Sequence, residues 1–399
     1  ALPYFLILNC DFYTSVFESI SGLTTTGASA LENIEKIPRS LLLWHSLSQW
    51  LGGLGFVIFF ISILGNSDSN SKKLFVQETT FSSDSFSLYN LRKNISSALG
   101  VYFLLTLICF FSLIYFKLPY FDAICHTLTT VSTGGFSIYN TGISHIHNIN
   151  IEIVLMIFMF LGGINFLFLT QIFTPTGPNI IHNHEFRTYI LLIIIATSLI
   201  FYALPHEGTP VLTFHNALFQ VISFCTTTGF HNCDFTQWPP LALTILLFLA
   251  FVGGCSGSTS GGLKIFRFTA IFKILSAQFE KIFHPTIIRS VKIDGILWTD
   301  KKQIEVLHFF TLTCIILASG TLILQIITPQ LDLTTSLSAS ISCLSNTGPG
   351  ITSSIGPYQS YVFFPPLAKL LLSLFMLLGR LELYAILVLL NKKFWKRFE

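Results

Sequence analysis

Four short runs in this 399-residue chain set Thr, Ser or Asn before Gly: SGLTTTGAS (21–29), TTVSTGGFS (129–137), SFCTTTGFH (223–231) and SCLSNTGPG (342–350). Their pairs, Thr26-Gly27, Thr133-Gly134, Thr228-Gly229 and Thr347-Gly348, lie 107, 95 and 119 residues apart, one internal repeat per run. The residues that recur in all four runs include no acid, base or soft metal ligand. What they offer is backbone carbonyl oxygen, and a ring of carbonyls replaces the hydration shell of a potassium ion. Aiming successive carbonyls at one axis needs alternating backbone signs, and Gly reaches φ > 0 at little steric cost. The candidate ion-binding residues are therefore Thr25, Thr26 and Gly27; Ser132, Thr133 and Gly134; Thr227, Thr228 and Gly229; and Asn346, Thr347 and Gly348. One such run alone reads as well as a helix end capped by Thr and Gly. Four in register, each before a long apolar helix, favour an ion path.

A second feature is GGCSGSTSGGLKIFR (253–267), whose five glycines and three serines cannot sustain a helix when each Gly costs about 1 kcal/mol relative to Ala. Neither a phosphate-binding loop nor a nucleophile elbow fits, because Leu263 separates Gly262 from Lys264 and the Gly-x-Ser-x-Gly spacing fails. A small-residue packing face is the other reading. Consecutive small residues favour a flexible loop hanging into the path below the runs, with Gly253, Gly254, Gly257, Ser258, Gly261 and Gly262 as gate residues. Arg380, in LLGRLELY, is a charge at membrane depth that needs water or a partner. Facing the path it sets an electrostatic barrier to cations; near a helix end it would snorkel to the interface.

The elements that must position these residues follow from composition. The chain is 52% hydrophobic and 10% charged, with mean hydropathy +0.69, far from the mix of a soluble domain. Stretches at 41–64, 95–116, 151–173, 187–204, 239–252, 305–328 and 361–391 approach or exceed the roughly 20 apolar residues of a membrane span. The expected fold is an all-α integral membrane protein of four pseudo-repeats, each an outer helix, a re-entrant pore loop and an inner helix around a central pore. Short helices near 12–21, 120–129, 212–223 and 333–343 would aim their partly negative C-termini at the cavity. Repeat 1 occupies 1–65 without an outer helix, repeat 2 95–174, repeat 3 175–276 with its inner helix broken, and repeat 4 303–399 with a cytoplasmic tail. Cytoplasmic linkers are expected at 66–94 and 277–302. Of 22 Lys and Arg, 17 fall on one side of this path, which puts residue 1 outside and the C-terminus in the cytoplasm. The opening ALPYFLIL is too short to span and lacks a basic n-region, so the chain is expected to start partway through a larger protein.

No carboxylate pair, Ser-His-Asp set or metal cluster points to an enzyme. The eight cysteines form no C-x-x-C pair and read as packing residues, although Cys225 and Cys233 flank one run and pairing stays open. Metal is expected only as potassium at the runs, with no covalent cofactor and no nucleic acid. A cation-coupled carrier using the same path is the alternative to a continuous pore.

The segments FESISGLTTTGAS, QWLGGLGFVIF, HTLTTVSTGGFS, SFCTTTGFHNCDF, GGCSGSTSGGLKIFR, LSNTGPG and GRLELY stand in the order seen in the Trk/Ktr/HKT superfamily of potassium transporters, and the chain most closely resembles its TrkH/TrkG-type membrane subunits. The resemblance implies a pseudo-fourfold pore with one selectivity filter, an intramembrane gating loop at 253–262 and a pore-facing Arg380. It also implies a homodimer in the inner membrane, in contact with lipid, and a cytosolic nucleotide-binding regulatory subunit. In relatives a Ser at the first filter Gly accompanies sodium permeation, so Gly27 and its three counterparts imply potassium. Family members carry an outer helix in the first repeat, and none is expected ahead of the first run in this sequence.

Overall fold

A computed structural model describes residues 1–65, 88–172, 183–205, 209–284, 291–293 and 296–383. These are overwhelmingly helical, apart from an antiparallel two-residue pairing of Lys292–Ile293 with Ile296–Leu297. Among the described residues, four helices are long and apolar enough to cross a membrane: Arg39–Ile58, Ile95–Tyr115, His184–Ala203 and Asp300–Ile327. Large apolar side chains such as Phe111, Leu191 and Ile315 point outward from three of them, as lipid requires.

Between these lie four shorter helices, Phe12–Leu23, Tyr120–Val131, Pro210–Cys225 and Leu333–Leu344. Asp11 starts the first by accepting from the Thr14 N–H at 3.2 Å, and Pro210 starts the third with the fixed φ suited to a first turn. Each is followed by an apolar helix: Arg39–Gly65, which contains the first of the four spans, Ile149–Gly162, Pro240–Val252 and Pro366–Arg380. Every one of these packs against the short helix before it and the short helix of the next set. The last closes the cycle, because Pro366–Arg380 packs against both Leu333–Leu344 and Phe12–Leu23.

Three expected spans differ in their course. Residues 151–173 form two helices, Ile149–Gly162 and Phe166–Ile172, broken at 163–165. Asn165 accounts for the restart, its Oδ1 accepting from the Leu167 N–H at 2.9 Å. The helix expected over 361–391 starts at Pro366 and ends at Arg380, followed by Leu381 as cap and Glu382 in a left-handed conformation (φ 58°). The helix expected to begin at 95 begins at Leu88. Most of the expected linker 66–94, part of that at 277–302 and the tail beyond 383 lie outside the described residues.

Candidate ion path and its intramembrane loop

The four Thr/Ser–Gly runs adopt one backbone conformation. Each short helix ends in a turn whose second residue is left-handed: Thr25 (φ 53°), Thr133 (51°), Thr227 (52°) and Asn346 (57°). One residue later the chain closes back on the helix, with Thr26 N–H donating to Ser21 O, Gly134 to Thr129 O, Thr228 to Ser223 O and Thr347 to Ser342 O, at 2.8 to 2.9 Å. This is a helix C-terminal capping pattern. The next residue is again left-handed: Gly27 (74°), Gly135 (67°), Gly229 (83°) and Gly348 (99°). A β-branched Thr in the left-handed region is strained, and three of the four turns accept that strain.

This geometry corrects the register of the second run. Gly135, not Gly134, is the counterpart of Gly27, and the equivalent triplet is Thr133, Gly134 and Gly135. Ser132 stands level with Thr24, Thr226 and Ser345. The sequence TGG offers two glycines, and only the backbone decides between them.

The turns touch in a closed cycle. A Cβ on Gly27 would lie 2.1 Å from the carbonyl oxygen of Gly134; on Gly135, 1.6 Å from that of Thr228; on Gly229, 1.9 Å from that of Thr347; and on Gly348, 2.5 Å from that of Thr26. Glycine is thus required at each of the four places by close approach as well as by φ. Hydroxyl pairs stiffen three turns: Thr24–Thr26 at 2.8 Å, Thr226–Thr228 at 2.7 Å and Ser345–Thr347 at 2.8 Å. The second turn, with Gly134 in that place, instead has the Gln49 amide donating to the Gly134 carbonyl at 3.0 Å. Asn346 Nδ2 donates to Thr26 Oγ1 (3.0 Å) and to Met376 O (2.9 Å), tying the last turn to the first. On one side the four left-handed glycines floor an open cavity of about 290 Å³, with Tyr139, His231 and Tyr361 in its walls.

On the other side lies the loop between Val252 and Ile265. Left-handed Gly253, Gly257 and Gly262 turn it back on itself, and nearly all of it is buried. The sequence reading made it flexible; the structure packs it tightly. Cys255 and Thr259 N–H donate to the carbonyls of Gly163 and Gly162, which the helix break at 163–165 leaves free. Gly261 N–H donates to Thr227 Oγ1 at 2.6 Å, joining the loop to the third turn, and a Cβ on Gly261 would meet the Ser345 carbonyl at 2.0 Å. Thr259 Oγ1 donates to Gly162 O at 3.1 Å.

Arg380 is buried at the C-terminal end of its helix and reaches the loop, with Nη1 donating to Thr259 O at 2.6 Å and its guanidinium 4.4 Å from the Phe56 ring centroid. Lys264 Nζ donates to Ser260 O. Arg267 pairs with Glu382 at 2.6 Å and lies over Phe309 at 4.0 Å. These three cations line a cavity of about 30 Å³, space for a water or two.

Sequence reasoning passed over two buried carboxylates. Glu185, near the start of His184–Ala203, holds the loop with both oxygens, accepting from Ser256 N–H at 2.6 Å and Ser256 Oγ at 3.0 Å. Glu18, in the first short helix, is fully buried behind the first turn. The available signal was an acid on the inner face of an otherwise apolar segment. Cys225 and Cys233 are both free thiols, and among the described residues no three His, Cys, Asp or Glu side chains cluster as metal ligands.

The family model TrkH, described as a cation transport protein, matches residues 5–397. The chain is 32% identical over 396 residues to the Trk system potassium uptake protein TrkG of Escherichia coli K12, covering 98% of this chain and 80% of that protein. It is 31% identical over 388 residues to the Trk system potassium uptake protein TrkI of Halomonas elongata, covering 96% and 78%. The crystal structure of the potassium transporter TrkH from Vibrio parahaemolyticus superposes with a TM-score of 0.87 at 27% identity, covering 98% of this chain and 81% of that one.

Proposed function

This chain belongs to the TrkH family of cation transport proteins, and from that premise we propose that it takes up potassium through the ring of four turns, with the loop at 253–264 as its gate. The observation that carries the reading is the closed cycle of contacts from Gly27 through Gly135 and Gly229 to Gly348 and back. A single-file path bounded by four copies of one backbone turn presents carbonyl oxygens from all sides, which is what a dehydrating potassium ion needs. Left-handed residues at the second and fourth places, with the third between them, supply the alternation that turns successive carbonyls the same way. Four helix C-termini add partial negative charge around the same ring. No acid, base or nucleophile is part of it, and transport rather than catalysis is the activity.

Repeats 2 to 4 are read as outer helix, re-entrant loop and inner helix, and residues 1–65 as the loop and inner helix of repeat 1, around a central pore in the inner membrane. The 290 Å³ cavity is its external mouth, residue 1 is outside and the C-terminus is cytoplasmic. The 253–264 loop closes the inner side. It is pinned from three directions, by Glu185, by Thr227 and by Arg380, whose charge opposes a cation in the same place. The names of the relatives place them in Trk systems, which supports a regulatory partner; its seat on the cytoplasmic face, its nucleotide binding and a homodimeric assembly in contact with lipid belong to the same proposal. A continuous pore is favoured over a coupled carrier because the four turns close a single ring.

Growth at limiting potassium of cells deprived of their own uptake systems tests the reading. Cells carrying the chain are expected to grow, and those carrying a membrane-inserted Gly229→Ser variant are not. Equal growth with both would remove the turns from the ion path.

A further inference from the structure

The residue nine places before the left-handed glycine differs in every turn: Glu18, His126, Gln220 and Ala339. In three turns it braces the chain two or three residues beyond that glycine. His126 Nε2 meets Ser137 Oγ at 3.2 Å, and Gln220 Nε2 donates to Asn232 Oδ1 at 3.0 Å. The fourth turn, with Ala339, uses the neighbouring Ser338, whose Oγ accepts from Ile351 N–H at 2.9 Å.

Glu18 is the strongest of these braces. Its Oε1 accepts from the Ala30 N–H at 2.5 Å and from Ser29 Oγ at 2.9 Å, so one carboxyl oxygen holds the main chain three residues past Gly27. The same strand is held from behind, with Ser21 Oγ donating to Ala28 O at 2.6 Å and Tyr361 N–H donating to Ser29 O at 2.8 Å. The other carboxylate oxygen, Oε2, is buried without a hydrogen-bond partner, 3.7 Å from His45 Nδ1, which itself meets Tyr4 Oη at 2.8 Å. A carboxylate buried to 0% exposure and left half-satisfied is destabilising on its own account. Its compensation is the fixed position of the strand that leaves Gly27.

We propose that Glu18 is a specificity-determining positioning residue: it never touches the ion, and it sets potassium against sodium by holding the first turn at the spacing its three counterparts impose. A carbonyl ring held at a fixed spacing discriminates against the smaller ion, and the main chain of the first turn is clamped by a carboxyl oxygen that accepts twice. The inference rests on the four turns being the selective element.

The test is the ratio of potassium to sodium flux in proteoliposomes, a quantity independent of how much protein is inserted. Glu18→Ala is expected to lower the ratio at least about tenfold, in line with the loss of two hydrogen bonds. Glu18→Gln keeps an Oε1 acceptor for both donors and is expected to stay within roughly threefold of the parent, while Ser29→Ala, which removes one of the two bonds, falls between them. A folded Glu18→Ala protein with the parent ratio overturns the proposal. If that variant fails to fold, an unchanged ratio in Ser29→Ala overturns it and a lowered one supports it. Gly27→Ser separates the two levels of the account. If it changes the ratio and the Glu18 variants do not, only the brace fails; if it too leaves the ratio unchanged, the filter reading fails.

Discussion

The four turns and the 253–264 loop lie back to back in one buried layer, yet opposite means build them. The turns occur four times, are set by backbone hand and close contact, and meet one another through carbonyls and glycines. The loop occurs once, interrupts one helix, and is held by two backbone bonds to Gly162 and Gly163 together with side chains from distant elements: Glu185, Thr227 and Arg380. Backbone geometry repeated around an axis resists deformation, because moving one turn collides with its neighbour. A loop pinned by a few separable hydrogen bonds can be released at a modest free energy. The division suits a fixed filter above a movable gate.

The sharpest way to break this comparison is to place one methyl group on either of two adjacent glycines. Gly135→Ala puts a Cβ 1.6 Å from a carbonyl oxygen at positive φ, where Gly134→Ala meets only the Gln49 side chain. The left-handed penalty alone is about 1–2 kcal/mol and the overlap adds to it, so potassium uptake is expected to fall at least about a hundredfold in Gly135→Ala and far less in Gly134→Ala. Equal losses would undo the register assigned to the second turn.

The loop is expected to respond in the other direction. Glu185→Ala removes two charge-assisted bonds from Ser256, each worth roughly 1.5–3 kcal/mol, and basal uptake is expected to rise at least about tenfold in initial-rate measurements. A fall in uptake by a normally inserted variant would mean that Glu185 holds the conducting form. Thr227→Val severs the Gly261 N–H bond that joins the loop to the third turn while keeping a β-branched residue, and a rise of about fivefold is expected, in line with the ~1 kcal/mol of an ordinary hydrogen bond. An unaltered rate would uncouple the two regions. The smallest effect belongs to Asn346→Ala, which loses the links to Thr26 and Met376. Thermal unfolding of the purified protein should report a loss of about 1–2 kcal/mol, and no loss would remove Asn346 from the closure of the ring.

Much of the fold was legible because its signals are local. Apolar runs marked most helices, and the four Thr–Gly runs marked every turn. The second register was not legible, since TGG fits either way until φ is known. The break at 163–165 hides in MFLGGINFLFL, whose hydropathy stays high through the interruption; its cause is the loop, which takes up the carbonyls of Gly162 and Gly163. The helix end at Arg380 hides likewise in LLGRLELYAIL. The partners that anchor the charges there, Arg380 with Thr259 and Glu382 with Arg267, lie more than a hundred residues away in sequence. Glu18 and Glu185 escaped notice for the same reason, because their roles rest on donors that only the folded chain brings near.

The most direct measurement of the central claim is potassium and sodium flux through reconstituted protein with one serine placed in turn at Gly27, Gly135, Gly229 and Gly348. If the four turns form one filter, each single substitution lowers the potassium-to-sodium ratio, and by comparable factors, because each glycine meets the same carbonyl of its neighbour. Parent ratios at parent rates in all four would show that the ions pass elsewhere.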